Sequence, residues 1–209
     1  MKVVIFGANG KTGTLLIKHA LANGHQVVAY IRKAGSIQFE NPNLKIIVGN
    51  LNETLKLRDA ITGADACISA LGGGSLRQRS AEFVKGIDTI ITTMEQEVVP
   101  RFIYLSSIGA GESKYYIGQP MRLFIVNALL RVPLSDHNEN EKRLMNSKLK
   151  WTIVRPGGLT DGPLSGNLVH GSEKIKLKGN PSISRENVAA FMISQLHEVN
   201  VKKSIWIYE

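Results

Sequence analysis

Three glycines spaced at i, i+3 and i+6, namely Gly7, Gly10 and Gly13, follow a short apolar run of β-type residues, Val3 to Phe6. A helix-patterned stretch, Thr14 to Ala22, comes directly behind them. A strand that turns through glycines into a helix gathers free backbone N–H groups and the positive end of a helix around one point, and that point attracts a diphosphate. The first glycine permits the tight turn, the second lets backbone approach the ligand, and the third lets helix and strand come close. Asn9, Lys11 and Thr12 lie in the same loop and are expected to face the same anion. Glycines serve many turns, but a strand before and a helix after are the setting that a dinucleotide fingerprint requires.

The next strand supplies a second test. It runs Gln26-Val-Val-Ala-Tyr-Ile31 and ends in Arg32-Lys33, with no Asp or Glu at its close. An acidic residue about 20 positions beyond the fingerprint would bind the ribose 2′-OH of NAD. A carboxylate would repel a 2′-phosphate, whereas a guanidinium grips one with two hydrogen bonds. Arg32 and Lys33 therefore predict NADP(H) over NAD(H).

The elements that must position these residues alternate along the whole chain. Apolar runs continue at Leu44 to Val48, Ala66 to Ala70, Arg101 to Leu105, Trp151 to Val154 and Ser204 to Tyr208. Helical periods fall at Lys11 to Ala22, Thr54 to Ile61, Ser75 to Val98, Met121 to Leu130, Asp136 to Ser147 and Glu186 to Val199. Asp136 and Ser184 are expected as helix N-caps. The alternation predicts an α/β fold: a single doubly wound, Rossmann-type domain over 1–209, with a mostly parallel sheet of about seven strands flanked by helices. Substrate-side loops are expected near 109–133 and 157–183, with Tyr115, Tyr116, Met121 and Phe124 as walls.

Composition narrows the class. The chain has 209 residues, 43% hydrophobic, and a formal net charge of +9. Its cations are scattered, with no dense basic run, so nucleic acid is not expected as a partner. No apolar run approaches the roughly 20 residues that span a bilayer, and no membrane partner is expected. Cys67 stands alone inside an apolar run, which excludes an intrachain disulfide and a thiolate cluster. His19, His25, His170 and His197 show no metal-ligand spacing, so no metal is expected. The start of the chain leads straight into a strand, and the expectation is a cytoplasmic monomer or small homo-oligomer that acts on a small molecule.

Four strand ends carry the remaining site residues. They read Val48-Gly49-Asn50-Leu51, Ser69-Ala70-Leu71-Gly72-Gly73-Gly74, Leu105-Ser106-Ser107 and Val154-Arg155-Pro156-Gly157-Gly158. Together with the GxxGxxG spacing, Leu105-Ser106-Ser107 and Trp151-Thr-Ile-Val-Arg-Pro-Gly157 resemble the atypical short-chain dehydrogenase/reductase superfamily. That group also includes the NmrA-like proteins and the biliverdin reductase B/flavin reductases. The resemblance implies that Asn50 and Leu51 lie against adenine. It places Ala70, Leu71, Gly72 and Ser106 on the cofactor, with Ser107, Pro156, Gly157 and Gly158 at the nicotinamide end. In dehydrogenating members a Ser polarises the substrate carbonyl and a Tyr-xxx-Lys pair supplies the proton. Ser107 fits the serine. Counting back from the Trp151 motif puts the Tyr slot near Pro133 and the Lys slot near His137, so the dyad is expected to be missing. Hydride transfer to a conjugated, electron-poor acceptor is less demanding, because the cofactor carries the chemistry. The expected function is NADPH-dependent reduction of a flavin, quinone or tetrapyrrole, with Ser107 and His137 as catalytic candidates. The alternative is an NmrA-like sensor that binds NADP(H) without turnover.

Overall fold

The computed structural model describes residues 1–72, 77–118, 130–177 and 181–209. The first strand, β1 (Lys2–Phe6), sits inside the sheet and shows why these runs are strands. Val3 and Ile5 join one buried cluster, while Val4 and Phe6 join another on the opposite face. That period of two, apolar on both faces, is what a doubly covered strand requires. It repeats in β4 (Ala66–Ser69) and β5 (Arg101–Leu105). Ile68 and Ile103 face the first cluster, whereas Cys67, Phe102 and Tyr104 face the second. Burial also pushes the Cys67 thiol pKa upward, so the side chain behaves as a small hydrophobe.

The remaining main-sheet strands are β2 (Gln26–Ile31), β3 (Leu44–Val48), β6 (Lys150–Pro156), β8 (Val169–Gly171) and β10 (Lys203–Tyr208). The order is β3-β2-β1-β4-β5-β6-β10-β8, eight strands. All neighbours are parallel except β8, which runs antiparallel to β10. A separate two-stranded ribbon joins β7 (Gly158–Thr160) to β9 (Ser182–Ser184).

Helices α1 (Lys11–Ala22) and α5 (Arg185–Ser194) cover one face, through Leu16, Ile17, Val188 and Met192. Helices α2 (Thr54–Ile61), α3 (Ala81–Gln96) and α4 (Arg131–Met145) cover the other, through Leu57, Ile61, Ile87, Ile90 and Leu144. Each such side chain, fully removed from water, contributes about 1.5–3 kcal/mol. Arg101 is one of the buried charged side chains in this apolar frame. Its buried guanidinium donates to the carbonyls of Gln195 (2.6 Å) and Lys150 (2.7 Å) and to Thr152 Oγ1 (2.8 Å), tying the end of the α5 region to the sheet. Burial lowers its pKa to about 10, which still leaves it charged at neutrality.

The seven expected strands and the α/β class match this architecture, and three details differ. Helix α4 starts at Arg131, five residues before Asp136, because Pro133 falls in the first turn, where a missing N–H costs nothing. Asp136 is therefore not an N-cap. It lies buried inside the helix and accepts from Ser80 N (2.9 Å) and Arg79 Nε (3.1 Å). Ser80 in turn caps α3 by accepting from Phe83 N, so that helix begins after Ser80. Ser184 does cap α5, accepting from Asn187 N, but α5 stops at Ser194 and passes into a 3₁₀ turn, Gln195–His197. The helix expected over 121–130 lies outside the described residues apart from Leu130, which precedes α4.

Candidate active site

At β1 the sheet order reverses: β2 continues to one side and β4 to the other. In such sheets a crevice opens at the carboxyl ends of the strands on either side of the switch. Here the crevice has two compartments that share Ala70, Leu71 and Gly72. The smaller holds about 190 Å³ and is lined by Gly7, Asn9, Gly10, Arg32 and Leu51, among others. The larger holds about 560 Å³.

The small compartment is built by glycine. Gly7 has φ +73°, and a Cβ there would stand 2.7 Å from the Ala70 carbonyl oxygen, so backbone conformation and space both exclude a side chain. A Cβ on Gly13 would come within 2.1 Å of the Gly7 oxygen, which shows how closely α1 rests on the loop. Gly10 precedes α1 with no side-chain cap, and the first turn of α1 holds no acid. The positive end of α1 is thus neither capped nor neutralised by its own sequence, which suits a diphosphate. Arg32 is exposed at the rim.

Three residues expected on the cofactor stand differently. Lys33 and Asn50 are exposed and line neither compartment. The Asn50 backbone is engaged within the protein: its N–H donates to Glu53 Oε2 (2.6 Å) and its C=O accepts from Tyr30 Oη (2.8 Å). Lys11 Nζ is paired with Asp161 Oδ2 at 2.6 Å. The other Asp161 oxygen holds Arg185 Nη1 at 2.5 Å, and Arg185 lines the larger compartment. Sequence reasoning missed Arg185. Its one signal is its place directly after the Ser184 cap, at the first turn of a helix.

The larger compartment is mainly apolar, with Leu71, Leu105, Ile108, Ile117, Leu134 and Leu159 in its wall, and Thr12, Ser106, Ser107, His137 and Arg185 as polar points. Pro156, Gly157 and Gly158 form part of its floor. Tyr115 is exposed and Tyr116 is buried with Ile108 and Ile117 in a satellite cluster; neither lines the cavity. Met121, Phe124, Gly73 and Gly74 lie outside the described residues.

The two neighbouring serines have separate roles. Ser107 Oγ donates to the Ile108 carbonyl (3.1 Å) at the cavity wall. Ser106 also lines the cavity, is buried, and its hydroxyl donates to Glu141 Oε1 (2.6 Å). Glu141 also accepts from Arg155 Nε (2.9 Å) and Nη2 (2.7 Å), and Arg155 reaches Glu112 through Nη1 (2.7 Å). Two carboxylates hold the Arg155 guanidinium charged against the cost of its burial and raise its pKa. Gly111, at φ +56°, leaves this guanidinium its space, since a Cβ there would lie 2.6 Å from Nη2.

Pro133 and His137 stand one turn apart on α4 and both line the cavity. His137 Nδ1 lies 2.8 Å from Tyr104 Oη. Burial lowers the His137 pKa to about 4, only partly offset by Asp136. At pH 7 this imidazole is therefore uncharged. Among the described residues no three metal-ligating side chains gather, and no helix is long and apolar enough to cross a membrane.

A glycine cradle at the switch point of a doubly wound parallel sheet defines a dinucleotide-binding protein of the Rossmann type. The chain belongs to the NAD(P)H-binding family, whose pattern it matches over residues 7–199. It is 30% identical to an uncharacterised chloroplastic protein of Arabidopsis thaliana, over 93% of this chain and 71% of that protein. Its fold is shared with a short-chain dehydrogenase/reductase from Veillonella parvula solved in complex with NADP (TM-score 0.84, 19% identity, 100% of this chain and 94% of that one). It is shared also with ChuY, an anaerobillin reductase from Escherichia coli O157:H7 (TM-score 0.81, 24% identity, 100% and 97%).

Proposed function

We propose that the protein is an NADPH-dependent reductase that delivers hydride to a small planar acceptor of the flavin, quinone or tetrapyrrole type. The observation that carries this reading is the joined pair of compartments. A glycine-built, cation-rimmed cradle opens through Ala70 to Gly72 into an apolar cavity about three times its volume. The cradle suits a diphosphate, and Arg32 at its rim suits the additional phosphate of NADP. The second cavity suits a conjugated ring system, with Ser107 and His137 as polar contacts. The anaerobillin reductase among the structural neighbours supports a reductase reading by analogy of fold.

When bound, the dihydronicotinamide supplies the hydride. The chain's own part is to orient the reactants through the Gly7 to Gly13 loop and the floor at Pro156 to Gly158, and to exclude water with the apolar wall. By the count back from the Trp151 motif the Tyr and Lys slots fall near Pro133 and His137, so the reading favours acceptors that need no strong general acid.

The test is steady-state NADPH oxidation with FMN, a quinone and biliverdin, beside calorimetric binding of NADPH and NADH. Turnover of at least one acceptor is expected. Binding without turnover across the panel would identify a dinucleotide sensor instead. Arg32→Ala is expected to weaken NADPH binding by about tenfold or more while leaving NADH nearly unchanged, as loss of a charge-assisted phosphate contact does. Equal losses for both nucleotides would refute the 2′-phosphate role of Arg32.

A further inference from the structure

We propose that Tyr104 and Asn140 are positioning residues that hold the His137 imidazole as its Nε2–H tautomer, so that a neutral N–H donor faces the acceptor compartment. The identity of the group that receives this hydrogen bond rests on the reductase reading; the tautomer rests on geometry alone.

Tyr104 is wholly buried near the end of β5. Its hydroxyl oxygen lies 3.1 Å from Asn140 Nδ2 and 2.8 Å from His137 Nδ1. An amide nitrogen only donates, so Asn140 uses the phenolic oxygen as an acceptor. The single phenolic proton is buried with it and needs an acceptor of its own. Among the described residues, His137 Nδ1 is the group that offers one. A ring nitrogen that accepts carries no proton, so the neutral ring holds its proton on Nε2. Turning the Asn140 amide over would leave its nitrogen, with both N–H groups, unpaired in place of the oxygen Oδ1 that is unpaired now.

The surroundings keep the ring uncharged and fixed. Phe83 meets it edge-on, with centroids 5.5 Å apart at 80°. The carboxylates nearby are already engaged. Asp136 takes Arg79 and the Ser80 N–H, and Glu141 takes Arg155 and Ser106. Among the described residues no carboxylate hydrogen-bonds the imidazole, and burial disfavours its cation more than Asp136 favours it. With Nδ1 tied inward, the edge that carries Nε2 is left for the cavity that His137 lines. A neutral donor there steadies negative charge on an acceptor heteroatom as the acceptor is reduced. No proton leaves His137 in this role, and solvent supplies the proton that completes the product.

The test begins with the ¹⁵N-labelled full chain, without nucleotide, in a long-range ¹H–¹⁵N correlation at pH 7.5. His137, assigned by the loss of its signals in His137→Gln, is expected to show an unprotonated Nδ1 and a protonated Nε2, and to keep that pattern down to about pH 5. Tyr104→Phe is expected to mix the tautomers and to raise the pH at which the ring titrates. A wild-type Nδ1–H tautomer, or a fast-exchanging mixture, overturns the proposal. The second arm needs no Tyr104 variant. Gln places an amide N–H close to the Nε2 position, so His137→Gln is expected to keep kcat/KM with NADPH and FMN within about tenfold, whereas His137→Ala loses on the order of 10²-fold. Equal losses in the two variants overturn the donor role. A wild type that reduces no acceptor defeats the reductase reading, and the spectrum then decides the tautomer independently.

Discussion

At the scale of single residues, the cost of keeping His137 neutral must appear in stability. Its pKa is about 4 in the fold, against an ordinary value near 6.5. A group whose folded pKa is depressed contributes fully above its unfolded pKa, and that contribution is lost as pH falls through 6.5 towards 4. From pH 7.5 to 4.5 the loss amounts to about 2–3 kcal/mol. His25, also buried and also shifted downward, acts in the same direction, so the total is not diagnostic. The difference is: urea unfolding of wild type and His137→Gln should give a steeper fall in the wild type by about that amount. Parallel slopes would contradict the buried neutral ring. At this scale the sequence was only half legible. Leu105-Ser106-Ser107 marked a strand end with two residues that both line the cavity, but the tie of the Ser106 hydroxyl depended on Glu141, 35 residues away. His137 was visible as a candidate, yet the partner of its Nδ1 is Tyr104, 33 residues away on a strand, and nothing in local spacing joins those two side chains.

At the scale of elements, the start of α1 and the loop after β7 are joined by Asp161, which holds Lys11 on one side and Arg185, at the start of α5, on the other. Lys11 opens α1 directly after the glycine loop, and Arg185 lines the larger compartment. A carboxylate placed between them competes with any incoming oxyanion. Asp161→Asn should therefore bind NADPH several-fold more tightly in titrations at low ionic strength, with the gain shrinking as salt is raised, because exposed charges are screened. Weaker binding in the variant would show that Asp161 serves mainly to hold the loop in place. Element periodicity is where sequence reading served best, since Val3 to Phe6 or Thr54 to Ile61 must alternate or repeat to cover a core. It failed for β7, β8 and β9, whose three residues are too few to show a period, and for the start of α4, which carries no side-chain cap to announce it.

For the whole molecule, one parallel sheet with its switch point at β1 places every strand-end motif on one rim, although the motifs are separated by up to 150 residues. The α/β alternation made that convergence legible in advance. The volume and polarity of the larger cavity were not, because Ile117, Leu134, Pro181 and Arg185 reach it from elements whose mutual placement no local pattern encodes. A ligand seated across this rim touches β1, β2, β4 and the α1 turn together, so binding must stabilise the fold as a unit. A ligand held only by the native state at a hundred times its Kd adds about 2.7 kcal/mol. In a chain of this length each kcal/mol moves Tm by roughly 2–4 °C, so saturating NADPH should raise Tm by roughly 5–10 °C. The formal charge of +9 makes long-range attraction part of that affinity, and the rise should shrink in high salt. NADH at the same concentration should give a smaller shift, and Arg32→Ala should bring the two nucleotides together. A melting curve indifferent to both nucleotides, at millimolar concentration and low salt, would remove the cradle from the list of working sites and the proposed reductase with it.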